Sequence, residues 1–322
     1  MTDLRHICIS IAQHLFELLR PDMGATKSAD VVGEAKSGDY TFQIDETAEA
    51  ALGELVADAG KSANLRLAYY SEDRGLVSTL ADPQYVLVID PIDGTRPAVC
   101  GLESCCISIA LAPINSDIVR LSEVEAACLI ELKSGRVISA AKSEGVFVSS
   151  SADKPEKNIG GSLLSPKSEI KHLFWAHEIC ARPYEATYAI LGRLINESSF
   201  GGGAFIFNSS SFAISRVVLG QLQAYVDPFA ALLRTREREK WAALSRGYFG
   251  GKVFGLFPYD IAAAAFIASK SGAIVTDAFG ESIGPTNLIA SGPDSVLSCV
   301  VAANPELSAR LLDYISHALK SC

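Results

Sequence analysis

The run Tyr85-Val86-Leu87-Val88-Ile89, continuing without a break into Asp90-Pro91-Ile92-Asp93-Gly94-Thr95, constrains this chain more than any other segment. A short, continuous apolar run rich in β-branched residues reads as a strand buried on both faces. It delivers two carboxylates, Asp90 and Asp93, at its carboxyl end. Pro91 fixes its own φ and removes a ladder donor; Gly94 permits a tight turn. Carboxylates this close repel one another unless something neutralises them. A divalent cation with a preference for hard oxygen ligands is a natural partner. If a helix begins at this point, the N–H groups of Gly94 and Thr95 would face an anion. Taken alone, the segment is also explained by an exposed turn with a capping aspartate.

Other acids sit in comparable places. Glu72 and Asp73 follow the strand-like text LRLAYY (65–70). Asp45 stands at an apparent helix start, and Asp260 follows Pro258-Tyr259 and opens the helical text IAAAAFIASKSGA. An aspartate at a helix N-terminus is by itself usually a cap. Four acids, each at the end of an element, point to one convergent site rather than four unrelated caps.

The rest of the chain alternates. Apolar positions from Leu4 to Leu19 recur at helical spacing. A polar loop from Pro21 to about Thr41 carries Lys27 and Lys36, and a helix follows to Ala59. Residues 104–148 read as successive strands, CCISIALAP, EAACLIEL, GRVISAAK and GVFVSS, a run of antiparallel candidates. Helices are predicted over 184–195, 209–219, 259–271 and 305–319, with strands at 222–227 and 273–277. Strands alternating with helices imply layered α/β structure. The polar stretch near residue 150 suggests two subdomains, 1–150 and 151–322.

A net charge of −9 argues against direct nucleic-acid binding, which needs a basic footprint. It does not exclude an anionic substrate where metal ions supply positive charge. No apolar run is long enough to span a bilayer, and the N-terminus does not read as a signal peptide. The eight cysteines form no CxxC pair, so we expect reduced, mostly buried thiols and a cytoplasmic protein. Gly251-Lys252 lacks the spacing of a P-loop, and His177-Glu178 lacks the second histidine of a zinc protease helix. Gly160-Gly161-Ser162 is no nucleophile elbow, and the sign-alternating run from Arg234 to Lys240 reads as a solvated face.

With these residues in view, the chain resembles the inositol monophosphatase superfamily of magnesium-dependent, lithium-sensitive phosphatases. Residues 90–95 match its Asp-Pro-Ile/Leu-Asp-Gly-Thr segment at every position. Ser71-Glu72-Asp73 looks like its Gly-Glu-Glu segment, and Tyr259-Asp260-Ile261-Ala262-Ala263 looks like its Trp-Asp-x-Ala-Ala/Gly segment. The resemblance runs from the first helix to about Gly280. It implies an αβαβα sandwich of the inositol monophosphatase/fructose-1,6-bisphosphatase type, commonly a homodimer.

The resemblance also implies roles. Glu72, Asp90 and the Ile92 carbonyl would hold one Mg2+; Asp90, Asp93 and Asp260 would hold a second, with two or three ions in all. Thr95 would orient the attacking water with support from Asp45, and Glu72 would serve the same chemistry. Gly94 and Thr95 amides would grip phosphate oxygens. Asp227 would take a substrate hydroxyl, and Lys36 would lie near the metals. The implied substrate is a small phosphorylated metabolite: inositol 1-phosphate or a related sugar or polyol phosphate, fructose 1,6-bisphosphate included. Histidinol phosphate and 3′-phosphoadenosine 5′-phosphate are alternatives. A regulatory, protein-binding member of the same fold is an alternative of another class. Arg96-Pro97, Tyr259 and the arginine-free text FIFNSSSFAIS depart from the usual motifs.

Overall fold

The computed structural model describes residues 3–35 and 40–321. Helix α1 (Leu4–Leu19) is capped by Asp3, whose side chain accepts from the His6 amide. Its stripe Ile7, Cys8, Ile11, Ala12, Leu15 and Leu19 is buried, as helical spacing predicts. A short hairpin, β1 (Val31–Glu34) with β2 (Tyr40–Phe42), lies inside the segment read as a polar loop and leads into α2 (Gln43–Ala63).

The first sheet has eight strands: β3 (Leu67–Ser71), β4 (Gly75–Val77), β5 (Tyr85–Asp93), β6 (Cys106–Pro113), β7 (Ala126–Glu131), β8 (Val137–Ala141), β9 (Val146–Ser149) and β10 (Lys157–Asn158). Their order is β10-β9-β8-β7-β6-β5-β3-β4, with only β3 and β5 parallel. Strand β5 is interior, as its apolar text requires. It runs through Pro91 to Asp93, with a register break against β6 between Asp90 and Asp93. That irregularity is how the chain accommodates the missing proline donor. The five-residue helix α3 (Thr95–Val99) follows at once.

The second sheet has five strands: β11 (Phe174–Ala176), β12 (Gly203–Phe205), β13 (Ala224–Asp227), β14 (Ile274–Thr276) and β15 (Cys299–Ala302). Their order is β12-β11-β13-β15-β14. Around them lie α4 (Tyr184–Ser198), α5 (Ser210–Val218), α6 (Phe229–Leu232), α7 (Arg238–Tyr248), α8 (Pro258–Ser271) and α9 (Pro305–Ser321).

Side-chain alternation along β5 shows the layering. Leu87 and Ile89 pack with α1 and α2, whereas Val86 and Val88 pack with α5 and α8. The same α5 and α8 touch Tyr225 and Val301 of the second sheet. Trp175, Ala224, Val226 and Val300 turn the other way, onto α4 and α9. The result is five layers, αβαβα. Helix α8 is buried on nearly every side, which its run Ala262 to Ala265 allows by keeping the helix thin between two sheets. Because one core spans both sheets, and because β10 belongs to the first, the structure draws no clean boundary at residue 150. No described helix is long and apolar enough to cross a membrane.

Candidate metal and phosphate site

One cleft gathers the ends of these elements. Its walls include Glu72 after β3, Asp90 and Asp93 of β5, Gly94 and Thr95 at α3, and Asp260 in the first turn of α8. Glu178, just beyond β11, Arg182, and Asn208 to Ser210, at the start of α5, line it as well. A neighbouring hollow is lined by Asp45, Glu72, Asp90 and Thr95. The cleft encloses about 110 Å3, room for roughly ten water molecules. That suits a small ligand.

Each of the four aspartates is held by backbone or hydroxyl donors. Asp90 Oδ1 accepts from the Ile92 amide at 3.1 Å. Asp93 Oδ2 accepts from Ser209 Oγ at 2.8 Å and from the Ser211 amide. Asp260 Oδ2 accepts from the Phe257 amide at 2.7 Å. Asp45 Oδ2 caps α2 through the Phe42 amide at 2.9 Å. Its Oδ1 lies 3.0 Å from the Thr95 hydroxyl, which is also 3.2 Å from the Ile92 carbonyl. The aspartates at helix starts are therefore caps and cleft residues at once.

Gly94 makes the turn possible. Its φ is +90°, and a Cβ there would lie 2.7 Å from the Ser104 carbonyl oxygen and 2.8 Å from Ser209 Cβ. Only glycine fits both the conformation and the space.

Charge is poorly balanced here. Burial, then the neighbouring Asp93, Asp260, Glu72 and Asp45 charges, raises Asp90 well above the usual carboxylate range. Burial likewise pushes Asp93 up to about 6, against the hydrogen bonds from Ser209 and Ser211. Asp260 is raised too, by burial first and Glu72 second. Among the described residues, no lysine or arginine forms an ion pair with Asp90, Asp93 or Asp260. The donor set is hard oxygen, and its uncompensated charge suits a divalent cation such as Mg2+. Among the described residues, no three His, Cys, Asp or Glu side chains already stand together in metal-ligating geometry, although Asp93, Asp260 and Glu72 lie near enough to Asp90 to raise its pKa, and Glu72 and Asp93 do the same to Asp260. Mutual repulsion opposes a closer approach.

The family model described as the inositol monophosphatase family matches residues 1–319. The chain belongs to the inositol monophosphatase family. A curated relative, the Nus factor SuhB of Vibrio cholerae, is 26% identical over 265 residues, covering 81% of this chain and 80% of that protein. Among solved structures, the Thermotoga maritima IMPase is similar with TM-score 0.67 at 17% identity, covering 97% of this chain and 96% of that one. The extragenic suppressor protein suhB of Bartonella henselae is similar with TM-score 0.67 at 18% identity, covering 98% and 97%. The αβαβα fold is thus that of the inositol monophosphatases.

Within this family member the expected residues do not all meet. Glu72, Asp90, Ile92, Asp93, Gly94, Thr95 and Asp260 line the cleft, and Asp45 reaches Thr95. Lys36 lies outside the described residues. Asp227 does not line the cleft: Arg182 covers it, donating from Nε at 3.0 Å and Nη2 at 2.6 Å to Asp227 Oδ2. Both side chains are almost fully buried. The structure thus places Asp227, the expected substrate contact, in an ion pair with Arg182, which itself lines the cleft. Glu178, Arg182 and Asn208 escaped the sequence reading. Glu178 carried a usable signal: it follows the apolar text FWA as Glu72 follows LRLAYY.

Proposed function

We propose that this protein is a Mg2+-dependent phosphomonoesterase acting on a small phosphorylated alcohol. Inositol 1-phosphate and related sugar phosphates are the first substrates to try. The observation that carries this reading is the ring of carboxylates around one small cleft, with no ion-pair cation at Asp90, Asp93 or Asp260 among the described residues. Glu72, Asp90, Asp93, Asp260 and the Ile92 carbonyl would hold the ions. Magnesium bound there would supply positive charge for a phosphate dianion and lower the pKa of a water.

The chain's own groups divide the remaining work. With its proton turned to Asp45, Thr95 Oγ1 presents lone pairs to a water and orients it. The amides that open α3 lack intrahelical partners and can bind phosphate oxygens. Positioning and charge, rather than covalent chemistry, are what phosphoryl transfer requires of a protein.

The test is phosphate release from a panel of monoesters, with Mg2+ present or chelated. Turnover that requires Mg2+, and falls at least about a hundredfold in Asp93→Asn with the fold intact by circular dichroism, supports the reading. No turnover of any ester would sink it. The resemblance to a protein described as a Nus factor favours a second, protein-binding reading. That role would survive Asp93→Asn.

A further inference from the structure

Glu72 differs from the other acids of the cleft in what carries it. Asp90 and Asp93 lie in a strand and Asp260 in a helix. Glu72 stands in a hairpin loop: Ser71 of β3 pairs with Gly75 of β4, and Glu72, Asp73 and Arg74 join them. A loop by itself positions a side chain less precisely than a helix or strand does.

One residue outside that loop grips both of its ends. Glu49 lies one turn after Asp45 in α2 and is 2% exposed. Its Oε2 accepts from Ser71 Oγ at 2.9 Å and stands 3.3 Å from Arg74 Nε. The Ser71 hydroxyl oxygen in turn accepts from the Arg74 amide at 3.4 Å. Between these two anchors the Thr41 hydroxyl donates to Asp73 Oδ1 at 3.2 Å. Glu72 then lines the main cleft and, with Glu49 and Asp73, the neighbouring hollow. Ser71 stands where the family's Gly-Glu-Glu segment has glycine, and the hydroxyl that reaches Glu49 is what that departure adds.

A buried carboxylate is an expensive way to hold a loop. Burial raises the Glu49 carboxyl to about 7, with Asp73 and Asp45 adding to the rise and Ser71 and Arg74 opposing it. An apolar side chain in place of a buried ionic group is often as stable or more so. What the carboxylate supplies instead is direction: groups that hydrogen-bond the carriers of metal ligands fix where those ligands point.

We propose that Glu49 is a positioning residue, which acts through Ser71 and Arg74 to hold the Glu72 loop ready for Mg2+. The inference rests on the metal part of the function proposed above. It assigns Glu49 no contact with substrate.

The test is calorimetric titration of the full chain with Mg2+, at a temperature well below unfolding. Ser71→Ala changes no charge and should weaken Mg2+ binding by about tenfold or more. Glu49→Asp keeps the charge but falls one methylene short of Ser71, and should weaken binding by about the same factor. The double variant should lose less than about threefold beyond the worse single variant, because both changes break one contact. Mg2+ affinity within about threefold of the parent in Ser71→Ala would overturn the inference, even with a lowered Tm in the absence of Mg2+, since a purely structural contact would act on folding alone. Losses that multiply in the double variant would overturn it as well. A parent chain that binds no Mg2+ defeats the metal reading itself, whereas a parent that binds and variants that bind equally well defeat only the role of Glu49.

Discussion

Arg182→Met should destabilise the protein through Asp227 rather than through lost packing. Methionine keeps most of the aliphatic stem and removes only the guanidinium. The Arg182 and Asp227 side chains are 8% and 2% exposed, and two guanidinium hydrogen bonds converge on one aspartate oxygen. Removing one partner of such a pair leaves a buried charge uncompensated and costs about 3–5 kcal/mol. An unfolding entropy near 2.1 cal/mol/K per residue over 322 residues makes each kcal/mol worth about 1.5 °C. Differential scanning calorimetry should therefore show Tm lower by about 4–7 °C. Adding Asp227→Asn should restore more than half of the loss, because the stranded charge is gone. A single variant within about 1 °C of the parent, or a double variant no better than the single, would refute this account of the pair.

Three further outcomes follow from the cleft. Without Mg2+, stability should decline as pH rises from about 4 through about 6, because Asp93 is raised to about 6 in the folded chain against about 3.9 unfolded. Asp90 and Asp260 act in the same direction, so the Mg2+-induced rise in Tm should be larger at pH 8 than at pH 5.5; a pH-independent rise would contradict the carboxylate assignment. Thr95→Val removes the hydroxyl held between Asp45 and the Ile92 carbonyl, and kcat should fall roughly a hundredfold with KM little changed. Gly94→Ala forces a Cβ to 2.7 Å from the Ser104 carbonyl at φ +90° and should cost roughly 2–4 kcal/mol in urea unfolding.

Long elements were legible in the sequence because their periodicity repeats. Helix α1, the strands from Cys106 to Ser149 and helix α8 lie close to where apolar spacing placed them. Strands β11, β12 and β15 span three or four residues, too few for a period to show. The run from Arg234 to Lys240 proved to lead into α7, with Arg234 paired to Asp277. The acids at element ends were readable because each sits beside its own structural signal. The grip of Ser209 on Asp93, and of Arg182 on Asp227, joins residues 116 and 45 apart and leaves no local trace. Asp227 is an example: an acid at a strand's end carries no sign in the sequence of the arginine that pairs with it.

Helix α8 carries a consequence for assembly. Its flanks belong to both sheets while its first turn contributes Asp260. Undocking either sheet thus removes a wall of the helix that places this acid opposite Asp90 and Asp93. If Mg2+ binds at these carboxylates, cation affinity and the cohesion of the sandwich would form one linked equilibrium, in which occupancy tightens the layers and loosened layers release the ion. Protease resistance of the chain should then track free Mg2+ concentration, making the alanine-thin helix the hinge pin on which chemistry and folding turn together.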